Sequence, residues 1–353
     1  MPMRCTGIGT IVWNTISGLL VLALWFGPSL LAAERIEALE PHMGTMFRIV
    51  LYADDLYAGD RARAHTAIRA AFDRVADLDS KLSDYIPGSE LNRVCVAAVG
   101  HDAPISADLY TVLRASQSLA DHTDGAFDVT LGPVIGLWRK ARRTGQLPTA
   151  DEMTAAAQRT GYRKLHLAHA GDQSTVRLDM PGMQLDLGAI AKGYAADEGL
   201  RVLRDHGFPR ALVAASGDIA FGDAPPGKTG WETGVDLIDA SSEWFTDVLQ
   251  LHNAAISTSG DTEQFVQIDG VRYSHIINPQ TGKGLTHRIG VTVVATKGID
   301  SDGLSTAASV ITEQFGAEAA LALIEKAGAR GIVVVEIGGK WKKYESTGVR
   351  YAQ

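Results

Sequence analysis

The sequence predicts an α+β fold, because helical and strand-like segments occur in clusters and do not alternate strictly as in a parallel βαβ protein. A strand-like segment, "MFRIVLYA" (46–53), leads into a long amphipathic stretch. In the second half, several short segments of alternating hydrophobicity follow one another and indicate antiparallel pairing. The 353 residues, 46% of them hydrophobic and 21% charged, are enough for one large domain or two lobes, and this composition excludes a disordered protein.

The first half of the chain contains three predicted helices. The first follows strand 46–53, and the other two cover about residues 106–122 and 149–160. Short strands are predicted between Gly and Asp turns. These strands are "KLHLA", "TVRLDM" and "MQLDLG". The apolar residues that mark the first helix by their spacing are Ala64, Ile68, Phe72, Val75, Leu78 and Leu82.

In the second half of the chain, the predicted helices and strands follow one another with short connections. "AIAKGYAADEGLRVLRDHG" predicts a helix that ends at Gly207, and "ALVAASGD" predicts a buried strand. Antiparallel pairing is expected for "WETGVDL", "FTDVLQLH" and "EQFVQI". The remaining elements are the strand "GVTVVAT", the helices "STAASVITEQFG" and "AEAALALIEKAG", and the strand "GIVVVEI".

Residues 1–33 differ from the rest, because Arg4 precedes an apolar run that ends in "LLAA" before Glu34. This pattern is typical of a secretory signal peptide, and the run also approaches the length of a membrane anchor. We therefore expect 1–33 to be a signal peptide or an anchor and 34–353 to be the folded domain. The location would be periplasmic or in the cell envelope, with inner-membrane association if the segment is retained. Without the leader, Cys95 has no partner for an intramolecular disulfide.

The net charge excludes one class of partner. The chain has 33 Lys and Arg against 41 Asp and Glu, which gives a formal charge of −8. A chain without a basic excess is not expected to follow the phosphate backbone of a nucleic acid. Any phosphate that it binds must be held by a few local groups.

The segment "DSDGLST" (300–306) is the first candidate site. Asp302 and Thr306 are four residues apart, so both lie on one face if a helix begins near Asp302. A carboxylate and a hydroxyl at a helix start could bind Mg²⁺ and, beside it, a phosphate. The alternative is that Ser301 or Asp302 caps the helix and binds no ligand.

Two further segments combine a strand end with charged residues. In "LDLGAIAKGYAADEGL", Asp186 ends a predicted strand, Gly188 allows close approach of the backbone to a ligand, and Lys192 lies one turn into the helix. The spacing is not that of a P-loop, so a plain turn with a surface lysine fits equally well. "VAASGDIAFG" places Asp218 after an apolar strand, either at a ligand site or in an ordinary turn.

Two single residues are also candidates. Asp128 lies among apolar residues in a segment that Gly132-Pro133 closes, and a hydrogen-bonded structural role competes with a ligand role. His275 precedes two isoleucines and an Asn-Pro turn, and a partly buried imidazole at a strand end can act as a general base near neutral pH.

Taken together and in this order, the motifs resemble the ApbE family of FAD:protein FMN transferases. The resemblance runs from "MGTMFRIVLYA" and "LSDYIPGSELNRV" to "VTVVATKGIDSDGLSTAASVI", which is nearly the whole chain after the leader. It implies two intimately joined lobes with mixed or antiparallel sheets, and FAD in the cleft between them. It also implies transfer of FMN from FAD to a threonine or serine hydroxyl of an acceptor protein, with release of AMP. The acceptor would be an exported or periplasm-facing electron-transfer protein.

The resemblance also assigns roles to residues. Asp302, Thr306 and the backbone carbonyl of Ala189 match the Mg²⁺ ligands of the family, and His275 matches the base for the acceptor hydroxyl. Many relatives have an acid where Asn278 stands, and some have a carboxylate at the Lys192 position. The positions that match flavin contacts are Met43, Tyr85, Ala126, Phe127, Asp128, Asp186, Lys192 and Ile277.

Two other functions fit much of the same residue set. An FAD pyrophosphatase would use water in place of the protein hydroxyl and would release FMN and AMP. A non-catalytic flavin carrier would bind the same rings, but it would need neither the metal ligands nor a base at His275.

Overall fold

An eight-stranded antiparallel sheet forms the centre of the fold. A computed structural model of the chain describes residues 33–53, 58–236, 246–260 and 265–349. Residues Ala33–Gln353 form one compact unit. The α+β prediction is confirmed, because the strands pair in antiparallel ladders and helices cover the sheet.

The described residues contain seventeen strands and eight α-helices, numbered here in chain order. The strands are β1 (Glu34–His42), β2 (Thr45–Ala53), β3 (Ala103–Ile105), β4 (Leu165–Ala170), β5 (Gln173–Leu178), β6 (Ala211–Ala215), β7 (Asp218–Phe221), β8 (Trp231–Asp236), β9 (Thr246–Leu251), β10 (Ala254–Gly260), β11 (Phe265–Ile268), β12 (Val271–Ser274), β13 (Ile277–Asn278), β14 (Lys283–Gly284), β15 (Ile289–Ala295), β16 (Arg330–Ile337) and β17 (Lys340–Glu345). The helices are α1 (Ala58–Leu82), α2 (Glu90–Ala97), α3 (Ala107–His122), α4 (Gly132–Thr144), α5 (Ala150–Ala157), α6 (Ala191–Asp205), α7 (Gly298–Phe315) and α8 (Ala317–Lys326).

The central sheet has the strand order β1-β2-β6-β7-β10-β15-β16-β17. Alternate residues of β2 point to opposite faces, as the two-residue period of a strand requires. Phe47 and Ile49 pack on the side of α1 and α6, whereas Val50 lies in a second core with Leu249 of the β8–β9 hairpin. The sheet is therefore buried on both faces, with helices on one side and a hairpin on the other.

The remaining elements form the second part of the fold. β3, β5 and β4 make a three-stranded antiparallel sheet, which packs against helices α2 and α3. Trp138 of α4 contacts Tyr273 of β12 with ring centroids 4.9 Å apart, and its indole N–H donates to the Gly282 carbonyl at 2.7 Å. This contact fixes the β11–β12 hairpin, and with it the segment that begins at His275, on α4.

Most predicted elements are present within a few residues of their expected bounds, but several were missed. The helices α2 and α4 and the strands β1, β3, β7, β10 and β17 were not predicted. The prediction that Gly132-Pro133 closes its segment was wrong, since Pro133 lies in the first turn of α4. Proline suits that position because the first helical N–H groups have no partner within the helix.

Two boundary predictions also differ from the structure. "MQLDLG" does not form a strand and makes only an isolated bridge between Leu131 and Gln184. α7 begins at Gly298, so Asp302 lies in its second turn and not at its start. The leader prediction for 1–33 falls, apart from Ala33, outside the described residues and stays a prediction. Within the described ranges, no helix has both the length and the apolar character needed to cross a membrane.

Candidate active site

Helices α6 and α7 cross at a pair of glycines. A Cβ atom added to Gly193 would lie 2.1 Å from the Gly298 carbonyl oxygen, and one added to Gly298 would lie 2.4 Å from the Gly193 carbonyl oxygen. Only hydrogen atoms at both positions allow the two backbones to approach this closely. The crossing brings the first turns of both helices together.

The two helices cap each other at this crossing. Asp302 of α7 accepts a hydrogen bond from the Gly193 amide in the first turn of α6, at 2.9 Å. Asp197 of α6 accepts from the Gly298 and Ile299 amides at the start of α7, at 2.7 and 3.1 Å. The expectation that Ser301 or Asp302 caps its own helix was therefore wrong, because Asp197 has that role and Asp302 serves the neighbouring helix.

The hydroxyl groups of "DSDGLST" explain how α7 is oriented. The Ser301 and Ser305 hydroxyls lie 2.8 and 2.7 Å from those of Ser257 and Ser259 on β10. The two strand serines are two residues apart and the two helix serines are four apart. Each pair therefore lies on one face of its element, because side chains repeat every two residues on a strand and about every 3.6 on a helix. Asp302 and Thr306 follow these serines on the adjacent face of α7.

Lys192 and two buried carboxylates form an ionic cluster beside the crossing. The Lys192 ammonium lies 3.1 Å from Asp218 Oδ2 and 3.9 Å from Asp302 Oδ2, and it donates to the Gly188 carbonyl at 3.0 Å. Burial and the Asp218 carboxylate raise the pKa of Asp302 to about 7, although Lys192 acts in the opposite direction. Burial opposes protonation of Lys192, but Asp218 and Asp302 outweigh it and raise its pKa above the usual range. Lys192 thus neutralises part of a site that is otherwise rich in negative charge.

The oxygen atoms predicted to hold Mg²⁺ fit that ion. Asp302 is buried, and the Thr306 hydroxyl lies at a long distance, 3.3 Å, from the Ser259 hydroxyl. In a regular helix the Gly193 amide would donate to the Ala189 carbonyl, but here it donates to Asp302. Within the described residues, no group of three or more His, Cys, Asp or Glu is placed to hold a metal ion, so any ion here would also need hydroxyl, carbonyl or substrate oxygen atoms. A carboxylate, a hydroxyl and a carbonyl are the hard ligands that Mg²⁺ prefers.

A second charged group surrounds Asp186. The Arg139 guanidinium donates to Asp186 Oδ2 at 2.7 Å and to Asp84, and it lies over the Tyr85 ring at 4.3 Å from the centroid. The Gly188 amide donates to Asp186 Oδ1 at 2.9 Å. Tyr85 and Asp186, both predicted to contact flavin, are therefore brought together by Arg139, which the sequence analysis did not single out.

The other predicted flavin contacts differ in what their side chains can do. Asp128 Oδ1 accepts from the Thr130 amide and hydroxyl at 2.8 and 2.6 Å, and Oδ2 accepts from the Tyr162 amide at 2.9 Å. Burial raises the pKa of Asp128. These bonds are those of a structural carboxylate that closes a turn, so its contact with flavin stays a prediction.

Ala126, Phe127 and Ile277 have buried side chains, each within a hydrophobic core. Any contact that they make with a flavin would come from their backbone. Met43 adopts a left-handed conformation (φ 48°), and its amide donates to Asp79 Oδ2 at 2.9 Å. Tyr85 is different, because 71% of its surface is exposed.

His275 is exposed in the bend between β12 and β13, so the prediction of a partly buried imidazole was wrong: its neighbours Ser274 and Ile276 are buried and turn its side chain outward. The Ser274 hydroxyl accepts from the Ile276 amide at 3.1 Å, and the Ser274 amide donates to the Leu285 carbonyl at 2.8 Å. These bonds hold the backbone on both sides of His275, while its exposed ring can be reached by a large partner such as another protein.

The profile of the ApbE family matches residues 43–334 of this sequence. The chain belongs to the ApbE family. Among curated relatives, the FAD:protein FMN transferase of Vibrio cholerae is 30% identical over 89% of this chain and 92% of its own length. That of Klebsiella pneumoniae is 29% identical over 86% of this chain and 85% of its own length.

Solved ApbE structures have the same fold. The flavin transferase ApbE from Vibrio cholerae superposes with a TM-score of 0.76 at 29% identity, covering 89% of this chain and 98% of that one. The ApbE protein of Thermotoga maritima gives a TM-score of 0.75 at 27% identity, covering 88% and 97%. The predicted ApbE-like fold is thereby confirmed.

Proposed function

We propose that this ApbE-family chain is a Mg²⁺-dependent FAD:protein FMN transferase. The relatives named above carry that activity in their names. The observation that supports it most directly is the α6–α7 crossing, where the buried Asp302 lies 3.9 Å from the cationic Lys192, with Thr306 one turn further along α7 and Ala189 just before α6. Such a site suits a substrate that carries a pyrophosphate, whose negative charge must be neutralised before the bond can break.

In the proposed reaction, His275 acts as the base and the residues at the α6–α7 crossing hold the metal ion. His275 takes the proton from a threonine or serine hydroxyl of the acceptor, whose oxygen then forms a bond to the phosphorus of the FMN half. The bond between that phosphorus and the bridging oxygen breaks, and AMP leaves with the electron pair. Asp302, Thr306 and Ala189 would hold Mg²⁺, which neutralises phosphate charge when bound. The exposed position of His275 supports a protein as the acceptor.

The cellular setting is part of the proposal. The apolar run in residues 1–33 supports export, as a cleaved signal peptide or as an inner-membrane anchor. The acceptor would then be an exported or periplasm-facing electron-transfer protein. FAD would lie between the Arg139–Asp186–Tyr85 group and the Lys192 cluster.

One experiment tests the reaction. The purified chain is incubated with FAD, Mg²⁺ and a candidate acceptor, and the denatured proteins are inspected for flavin fluorescence in a gel. Fluorescence on the acceptor that disappears with EDTA supports transfer. Free FMN without a labelled acceptor would identify a pyrophosphatase, and bound FAD that stays intact would identify a carrier.

A further inference from the structure

Arg139 joins three segments that are distant in the sequence. From α4 it donates to Asp84 and to Asp186 Oδ2, and its guanidinium covers one face of the Tyr85 ring. Its Nε atom is buried without a hydrogen-bond partner among the described residues. Buried orphan donors are rare where an arginine serves structure alone, since each costs free energy.

The guanidinium stabilises the ionised form of Asp186. Burial and the charge of Asp84 raise the pKa of Asp186, and Arg139 opposes both. Without the cation, two carboxylates would share a buried space and one would take up a proton. An ionised Asp186 only accepts hydrogen bonds, whereas a protonated one also donates. The Arg139 guanidinium, which donates to Asp186 Oδ2 at 2.7 Å, therefore favours the form of Asp186 that only accepts hydrogen bonds.

The same group orients Tyr85. This ring follows the end of α1 in a loop, and its large exposure would leave it free to rotate. The guanidinium covers one face, which leaves the opposite face open to a flat ligand ring. A lysine could supply the charge but not the planar fork that reaches two carboxylates and an aromatic face together.

We infer that Arg139 is a positioning residue for the isoalloxazine end of FAD. It holds Asp186 as an acceptor for an N–H or hydroxyl of the flavin half and presents Tyr85 as the stacking surface. The inference rests on the proposed function, because it takes FAD to be the ligand. The contacts of Arg139 are with two residues that are predicted to bind the flavin half, Tyr85 and Asp186, and with Asp84, so we expect its effect to be on binding.

The test measures FAD affinity by quenching of flavin fluorescence in the full chain, with Mg²⁺ present. Arg139→Gln is compared with Arg142→Gln, since Arg142 lies on the same helix and has no ion pair in the described part of the chain. We expect the Kd for FAD to rise about 10- to 100-fold in Arg139→Gln, which is the usual effect of losing a charged hydrogen bond. Arg142→Gln should bind like the wild type, and in transfer assays Arg139→Gln should change KM more than kcat.

A second substitution separates positioning from general stabilisation. Asp84→Asn in the Arg139→Gln background removes the repulsion on Asp186, so this double variant should regain part of the lost affinity. A structural role predicts instead a lower Tm with an unchanged Kd in the folded protein, and that result would overturn the inference. Failure of the wild type to bind FAD would overturn the proposed function as well, so the two failures are distinguishable.

Discussion

Substituting Gly193 by alanine tests whether the α6–α7 crossing supports the site. The new Cβ would lie 2.1 Å from the Gly298 carbonyl oxygen and 2.8 Å from Asp302 Cβ. Carbon and oxygen atoms need about 3.5 Å, so the helices must separate by about 1 Å or more at the position of Asp302. Overpacking of this kind costs about 1–3 kcal/mol, and the gain of about 1 kcal/mol in helix propensity offsets only part of it.

The matched control is Gly136→Ala in α4, where nothing lies within 4 Å of the added Cβ. This change should stabilise the chain by roughly 0.5–1 kcal/mol, because alanine favours a helix over glycine. Urea unfolding measures both variants, and the transfer assay measures activity. We expect Gly193→Ala to lower stability and to lose most activity even where it is folded. A Gly193→Ala protein with wild-type stability and turnover would refute the tight crossing.

Three other substitutions test individual groups. Asp302→Ala should abolish transfer while FAD still binds, because the flavin contacts remain, and turnover that persisted at saturating Mg²⁺ would contradict its role as a ligand. His275→Ala should slow transfer by about 10²–10⁴-fold, and the rise of the wild-type rate through the imidazole range should vanish in a pH profile. Burial raises the pKa of Asp197 to about 6. Between about pH 4 and 6 the native state therefore holds a proton on Asp197 that the unfolded chain has lost, so the contribution of Asp197 to stability falls as pH rises through this range. Asp197→Asn should reduce that slope in unfolding experiments, and an unchanged slope would exclude Asp197 as its source.

Local signals in the sequence were sufficient for most of the fold. The helical spacing of apolar residues predicted α1, because it indicates that one helix face is buried. The β-branched residues of "GVTVVAT" predicted β15, which is buried at five consecutive residues. β1 was missed because it is an edge strand with several charged residues. α2 is only eight residues long, which is too short for a clear periodic signal.

The site was only partly predictable, because its key contacts join distant parts of the chain. The sequence singled out Asp302, but its bond to Gly193 spans 109 residues and has no local signature. The cap from Asp197 to Gly298 spans 101 residues. Arg139 could have been suspected only from its place beside Trp138 in a basic stretch, since its partners come from two other segments. Spacing indicates a shared helix face, but it does not indicate which helix packs on that face.

The mutual capping of α6 and α7 also constrains the order of folding. β6, β7, β10 and β15, all in the central sheet, lie between the two helices in the sequence. Bringing α6 and α7 together closes a long loop and costs chain entropy, and the packing of these strands compensates for that cost. The bond between Asp302 and Gly193 is therefore expected to form late, after those strands have paired. A molecule that holds the proposed Mg²⁺ ligands in place is then one whose central sheet is complete, so Mg²⁺ affinity, if the proposal holds, would report on correctly folded protein.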